Sequence, residues 1–295
     1  MRKRLSSDHI LMAVCYLTLI LFSIACIYPL LLAVGVSFSD ENTVVREGYR
    51  MIPKKVSLEA YKMIFGSLGK NLMHAYKITI LVTVVGTALS LLVSSSFAYV
   101  LSVREFKPKD KLNLFIYIPM IFSAGLLPWY IMCTKYYHLT DSFMALILPC
   151  CMSPFNVFLL RNFFKSIPEE IAEAARIDGA GFLRIYSTIY MPLAKVGLVT
   201  VGLFYALNYW NDYYLALMFV NKQQLYPLQY YLYNMLANVQ FMASQANQSL
   251  GYSINTPLET IKMATVCVTI GPIICLYPMV QKYFTKGVIV GAVKG

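Results

Sequence analysis

The sequence predicts an all-α integral membrane protein with six transmembrane helices. Three observations carry this. Of 295 residues, 58% are hydrophobic and only 13% are charged, against about 25% charged in an average soluble domain. The apolar residues stand in six long blocks, and a helix needs roughly 20 of them to cross a bilayer. Lys and Arg gather at the block ends, where they set orientation. A water-soluble reading would need one very large core with almost no polar surface.

The first block, about Ile10–Phe38, follows the basic start Arg2-Lys3-Arg4. It is too long for the roughly 7–15-residue core of a signal peptide and has no convincing cleavage site, so it is expected to stay as a helix. The second block is about Leu72–Val103, the third Leu112–Cys133 and the fourth Ser142–Phe164. The fifth is about Leu193–Val220 and the sixth Leu258–Tyr283. Pro and Gly interrupt several of them, at Pro29, Gly86, Pro119, Gly125, Pro128, Pro149, Pro154 and Pro272 among others. Breakers at membrane depth are tolerated where neighbouring helices or a wet cavity re-satisfy the backbone.

Charge orients the blocks. One side holds Arg2, Lys3, Arg4, Arg104, Lys107, Lys109, Lys111, Arg161, Lys165, Arg176, Arg184, Lys195, Lys282, Lys286 and Lys294, fifteen of the 25 cations. By the positive-inside rule that side is the cytoplasm, and both termini are expected there. The outside segments are then about Ser39–Asn71, Thr134–Asp141 and Asn221–Pro257. No linker or repeat divides the chain. Residues 1–71 read as an N-terminal helix with the first extracellular loop, 72–284 as the membrane core, and 285–295 as a cytoplasmic tail.

Other classes are excluded by what the cations and cysteines do not form. The net charge of +11 is spread over block ends rather than gathered on a face, so no nucleic-acid partner is expected; membrane lipid is. Seven cysteines lie in or beside apolar blocks without a CxxC or metal spacing, which suits small buried hydrophobes. His9, His74 and His138 are far apart. No metal site and no catalytic constellation is expected. No GxxxxGK[ST] phosphate loop is present either, so ATP has no such route onto this chain.

The cytoplasmic loop of about 166–192 is long and ordered in character. Ser166 can cap a helix with Pro168 in its first turn. Glu169 and Glu170 then sit near the positive helix end. Ile171, Ala174 and Ala175, at i, i+3 and i+4, put small and apolar groups on one face. Gly179 and Gly181 end that helix. A second runs about Phe182–Tyr190, and Pro192 turns into the fifth block. Such a helix-turn-helix at a membrane surface could rest on lipid or receive another protein.

The run Glu173-Ala174-Ala175, Gly179, Ile189, Met191-Pro192 resembles the "EAA" loop of bacterial ABC-importer permeases, departing only at Met191, where that pattern has Leu. Arg161-Asn-Phe-Phe-Lys-Ser-Ile-Pro-Glu-Glu, Ala175-Arg-Ile-Asp-Gly-Ala, Tyr209-Trp-Asn-Asp and the ending Gly291-Ala-Val-Lys-Gly look like the carbohydrate-uptake, maltose-type branch, and more closely its oligosaccharide permeases of Gram-positive bacteria. The resemblance covers nearly the whole chain. It implies a type I importer fold in a bacterial cell membrane: five core helices, with the first helix wrapped around a second, homologous permease subunit. It implies an ATPase homodimer that binds ATP and Mg, none of which binds to this chain. It also implies an extracellular solute-binding lipoprotein. The ATPase contact is expected at Glu170, Glu173, Ala174, Ala175, Asp178, Gly179, Ile189 and Pro192.

Two further sets are candidates. Asn208, Tyr209, Trp210, Asn211 and Asp212 stand in the fifth block, and an Asp near membrane depth points to function. Aromatic faces stack on sugar rings, and Asn and Asp bond hydroxyls; an aromatic belt or polar helix packing are the alternatives. Asn238, Gln240, Gln245, Asn247 and Tyr252 lie in the last outer segment, which in the family reaches into the binding protein; a solvated loop is the alternative. A secondary transporter would need coupling carboxylates and an inverted repeat; Asp212 is the one candidate carboxylate. Co-purification with a second permease and an ATPase would separate these readings.

Overall fold

The computed structural model describes residues 2–66, 69–250, 258–272 and 274. Long helices dominate: α1 is Arg2–Ser37, α2 Glu41–Glu47, α3 Glu59–Phe65 and α4 Gly69–Ser102. Next come α5, Lys109–Ile121, and α6, Leu126–Ile131, extended by a π-helical turn over Met132–Tyr136. Two 3-10 turns, Phe143–Leu146 and Leu148–Cys150, lead into α7, Pro154–Lys165. α8 is Glu169–Ile177 and α9 Phe182–Ile185, followed by a π turn Tyr186–Tyr190 and α10, Met191–Leu193. α11 is Lys195–Asn211, α12 Tyr214–Phe219, α13 Leu228–Leu250, and α14 covers 258–272. Among the described residues there is no strand, only a lone antiparallel bridge between Ser39 and Val56.

Two helices are long and apolar enough to cross a membrane unaided, His9–Ser37 in α1 and Asn71–Ser102 in α4. Three bent pairs bring the number to as many as five among the described residues. α5 and α6 with its π turn meet at 117°, the 3-10 turns and α7 at 59°, and Phe182–Leu193 and α11 at 83°. The third and fourth blocks are therefore broken, where Pro119, Gly125, Pro149 and Pro154 interrupt the hydrogen-bond ladder. The fifth block is also two pieces: α11 stops at Asn211 and α12 resumes at Tyr214. The sixth block is described over 258–272 and at 274; its remainder, the 285–295 tail and Tyr252 lie outside the described residues. The outer segment after Asn221 is no irregular loop, since α13 takes 23 of its residues.

The described parts of 1–70 and 234–272 form one compact unit, and those of 71–233 a second. In the first unit α1 is exposed along the whole of its most apolar stretch. Its end is tied to α3 by Ser37 Oγ, 3.0 Å from the Tyr61 hydroxyl. The first turn of α14 is capped from far upstream. The Glu41 carboxylate accepts from Glu259 N at 3.0 Å, Thr260 N at 2.9 Å and Thr260 Oγ1 at 2.8 Å. It thereby satisfies amide groups that a helix start leaves orphaned and sets a negative charge against the positive helix end.

In the second unit, hydroxyls on α11 repair the broken fourth block. The fully buried Tyr209 donates to Ile147 O at 3.0 Å, and its oxygen also meets Ser90 Oγ at 2.9 Å. Tyr205, also buried, accepts from Ser153 N at 2.9 Å and pairs with Ser94 Oγ at 2.6 Å. Ile147 and Ser153 flank the break, so the two tyrosines supply partners the ladder has lost. Gly86 on α4 makes room for this, because a Cβ there would stand 2.8 Å from the Tyr209 ring.

Candidate functional site

The segment 166–192 forms the helix-turn-helix the sequence predicts, with one change at its start. Ser166 does not cap α8. It closes α7, its Oγ donating to Phe163 O at 2.7 Å, and Pro168 stands at the N-cap of α8 without a side-chain cap. The acidic first turn, Glu169 and Glu170, is as expected. Gly179 takes φ +83° and ends α8. Gly179 N reaches Arg176 O at 2.9 Å, and Ala180 N reaches Ala175 O at 2.9 Å. That paired pattern is the Schellman termination, which needs a left-handed residue at this position. After Gly181, α9, the π turn and α10 continue as one bent rod to Leu193.

One face of α8 and α9 holds the segment to the unit and the other is bare. Ala172 and Ile185 are fully buried, and Ala175 and Ile189 pack partly against the core. Ile171, Ile177 at 87% exposure, Phe182 and Leu183 at 82% face outward together with Glu173, Ala174, Asp178 and Pro192. Ala174 and Ala175 thus split between the bare and the packed side. Ala172, Ile177 and Leu183 carry a share of each face that a reading of the motif alone overlooks.

Fastening runs through aromatic rings and ion pairs. Tyr99 of α4 lies 4.9 Å from Tyr190 and 5.2 Å from Tyr186, centroid to centroid, and Phe164 of α7 lies 5.7 Å from Tyr190. Ser95 Oγ meets the Tyr186 hydroxyl at 2.6 Å, and the Tyr99 hydroxyl donates to Phe182 O at 3.2 Å. Arg104 pairs with Glu169 at 2.7 Å, and Arg176 pairs with Glu105. Displacing this segment must therefore displace the end of α4.

The family described as binding-protein-dependent transport system inner membrane component matches residues 112–290, which include this segment. The chain belongs to that family. It is a membrane-spanning, non-catalytic permease subunit of an ABC importer. The permease is 36% identical over 279 residues to the polygalacturonan/rhamnogalacturonan transport system permease protein YtcP of Bacillus subtilis, with 94% of this chain and 96% of the relative covered. To the arabinooligosaccharides transport system permease protein AraQ of Halalkalibacterium halodurans it is 29% identical, with 91% of each covered. Its fold matches a chain of a bacterial ABC transporter involved in import of the acidic polysaccharide alginate. The TM-score is 0.79 and the identity 31%, with 94% of this chain and 98% of that one covered.

The permease divides the second candidate set. An open cavity of about 430 Å3 is lined by Phe204, Leu207, Asn208, Asn211, Asp212 and Tyr214, with Tyr213 beside them. Residues 204, 207, 208 and 211 fall on one face of α11 at helical spacing. Tyr209 and Trp210 are on the other side, buried in packing. Asp212 accepts from Leu215 N at 3.2 Å and so starts α12 while lining the cavity. Of the third set, Asn238 and Gln240 are exposed on α13; Gln245 and Asn247 lie on α13 with side chains outside the described residues. No cluster of His, Cys, Asp or Glu able to hold a metal occurs among the described residues.

In the loop after the third block, Asp141 ties itself to the loop after α12. Its Oδ1 accepts from Asn221 N at 2.6 Å and Lys222 N at 3.0 Å. These backbone donors hold its carboxyl below the usual aspartate range because they favour the charged form.

Proposed function

We propose that the permease works beside a second, homologous permease subunit, takes up oligosaccharide delivered by an extracellular binding lipoprotein, and is driven by an ATPase homodimer that alone holds ATP and Mg. The relatives support the cargo class: their names carry polygalacturonan/rhamnogalacturonan, arabinooligosaccharides and the acidic polysaccharide alginate. Charge asymmetry supports an orientation with both termini and the 166–192 segment in the cytoplasm.

A single observation carries the drive mechanism. The α8–α9 segment offers a bare face of Glu173, Ala174, Ile177 and Leu183 while its other face is locked to α4 through Tyr186 and Tyr190. An ATPase cleft closing on the bare face would pull the end of α4, converting nucleotide-driven closure into a swing between inward- and outward-facing states. Asn208, Asn211 and Asp212 are the proposed cargo contacts, and Asn238, Gln240, Gln245, Asn247 and Tyr252 the proposed contacts of the binding protein. Residues 72–284 serve as the moving core in this reading.

The test is Glu173→Lys. The variant is expected in the membrane at normal abundance, without ATPase co-purification and without uptake. Wild-type substrate-stimulated ATP hydrolysis in that variant would refute the docking role.

A further inference from the structure

A cavity of about 580 Å3 lies where the end of α4, the start of α5, the end of α7 and the start of α8 meet. Its lining carries five cations, Arg104, Lys109, Arg161, Lys165 and Arg176, against the two carboxylates Glu169 and Glu170. The pairing inside it is uneven. Arg104 takes Glu169 at 2.7 Å, and Arg176 is taken by Glu105, which is not part of the lining. Among the described residues Lys109 Nζ donates only to Arg104 O, at 3.2 Å. Arg161 and Lys165 form no ion pair among the described residues, and the Arg161 Nε is buried without a hydrogen-bond partner. Lys165 lies in the field of Arg161, Lys109 and Arg104, with Asp110 the opposing charge.

This goes beyond what orientation in a membrane asks of cations. Positive residues at a cytoplasmic boundary need only be near the surface, and exposed lysines meet that need. A guanidinium with a buried, unpartnered donor, one helical turn from a second cation on the same face, is a costly arrangement unless an anion completes it. Behind the cations the wall is closed by the buried Leu101, Phe164 and Tyr190, so the basic groups face the open side of the cavity.

The geometry points to a phosphate-binding site in this cavity, with Arg161 and Lys165 as its principal ligands and Lys109 at its edge. The Arg fork grips two oxygens of a tetrahedral oxyanion, and the ammonium groups add point charge. The phosphate could be the diester of an anionic phospholipid headgroup, or inorganic phosphate. Basic pockets between spanning helices on the cytoplasmic side are suited to lipid headgroups. Binding joins the end of α7 to the start of α5, beside the first turn of α8, so it fixes the surroundings from which the 166–192 segment leaves α7. The site itself does not depend on the proposed ATPase docking; only that mechanical consequence does.

The test uses the assembled importer in phosphatidylcholine nanodiscs, with phosphatidylglycerol or inorganic phosphate as the added probe, read by native mass spectrometry and 31P NMR. Retention of phosphatidylglycerol is expected. It should fall about tenfold or more in Arg161→Gln/Lys165→Gln and by a smaller factor in Arg161→Lys, which keeps the charge and the packing but loses the fork. Lys107→Gln, in the same loop but outside the lining, should leave it unchanged. Binding of inorganic phosphate with the same variant dependence, and no preference for the lipid, upholds the site and assigns the free ion. Lipid retention insensitive to these variants overturns the proposal. So does binding of neither probe together with weakened ATPase affinity in the variants, which would assign the cavity to an acidic group of the ATPase. A failed Glu173→Lys test leaves all these readouts intact, so the two readings fail separately.

Discussion

Gly86 of α4 and Tyr209 of α11 share one space: a Cβ on residue 86 would come within 2.8 Å of the tyrosine ring. The ring is fixed there by its hydroxyl, which bonds Ile147 O and Ser90. Gly86→Ala is therefore expected to destabilise by roughly 1–3 kcal/mol through overpacking. Tyr209→Phe should cost about 1 kcal/mol by removing two buried hydrogen bonds, since Ile147 O still accepts from Cys150 N. The Gly86→Ala/Tyr209→Leu double variant should cost less than the sum of its parts, since losing the ring relieves the clash. Thermal unfolding of the detergent-purified importer measures all of these.

At Gly179 the opposite situation holds. Its φ is +83° and a Cβ would meet nothing within 4 Å. Gly179→Ala should thus lose only about 1–2 kcal/mol, the cost of a left-handed backbone, and Gly179→Asn less. Gly179→Asp should leave insertion intact yet detach the ATPase. A co-purification assay run beside a melting curve separates the small backbone cost from a loss at the partner's surface.

The link from the 166–192 segment to α4 passes through Ser95 and Tyr186, whose hydroxyls meet at 2.6 Å. Tyr186→Phe keeps the ring contact with Tyr99 and removes that bond. The expected result is ATP hydrolysis that persists while transported substrate per ATP falls several-fold. Proteoliposomes measuring both quantities check this, and an unchanged ratio would place the transmission elsewhere.

For Asp141 the sign with pH follows from its depressed folded pKa. Its contribution is present above the unfolded aspartate value and is lost as pH falls through the lower folded one. Amide protection at Asn221 and Lys222 should therefore hold at neutral pH and persist through the ordinary aspartate range of about pH 4, failing only once pH falls through the lower folded value. Asp141→Asn, whose side-chain oxygen still accepts, should remove the pH dependence, and Asp141→Ala should remove the protection at all pH values. Hydrogen exchange reads this directly.

Asp212→Asn is expected to keep the cap on α12 through its carbonyl oxygen while changing the charge of the cavity. Transport should change several-fold, with the binding protein's own affinity unaffected. Wild-type uptake in this variant would remove Asp212 from the proposed path.

The parts of the molecule that were legible in the sequence are those set by local chemistry. Gly179, the acidic first turn of α8 and the length of α4 each follow from a few adjacent residues. What escaped depends on partners far along the chain. Ser166 has the right chemistry for two helix ends, and only packing decides that it serves α7. For Tyr209 and Trp210 the sequence leaves sugar stacking and helix packing both open, because composition does not say which face of α11 meets α4; both side chains are buried. α13 was hidden by its polar composition, although Leu228, Tyr231 and Leu232 already stand at helical spacing and are buried. The Glu41 cap on α14 spans 218 residues and leaves no local signal.

The broken fourth block bears on the order in which this protein can be made. Ser153 N finds its partner on Tyr205, 52 residues later in the chain, and Ile147 O, which also accepts from Cys150 N at 3.3 Å, finds a second one on Tyr209, 62 residues later. Emerging from the ribosome, that block meets lipid before those hydroxyls exist. Lipid offers such groups no hydrogen bond. Ser153 N lacks its partner until α11 is synthesised, so the fourth block is expected to settle fully in the bilayer only together with α11.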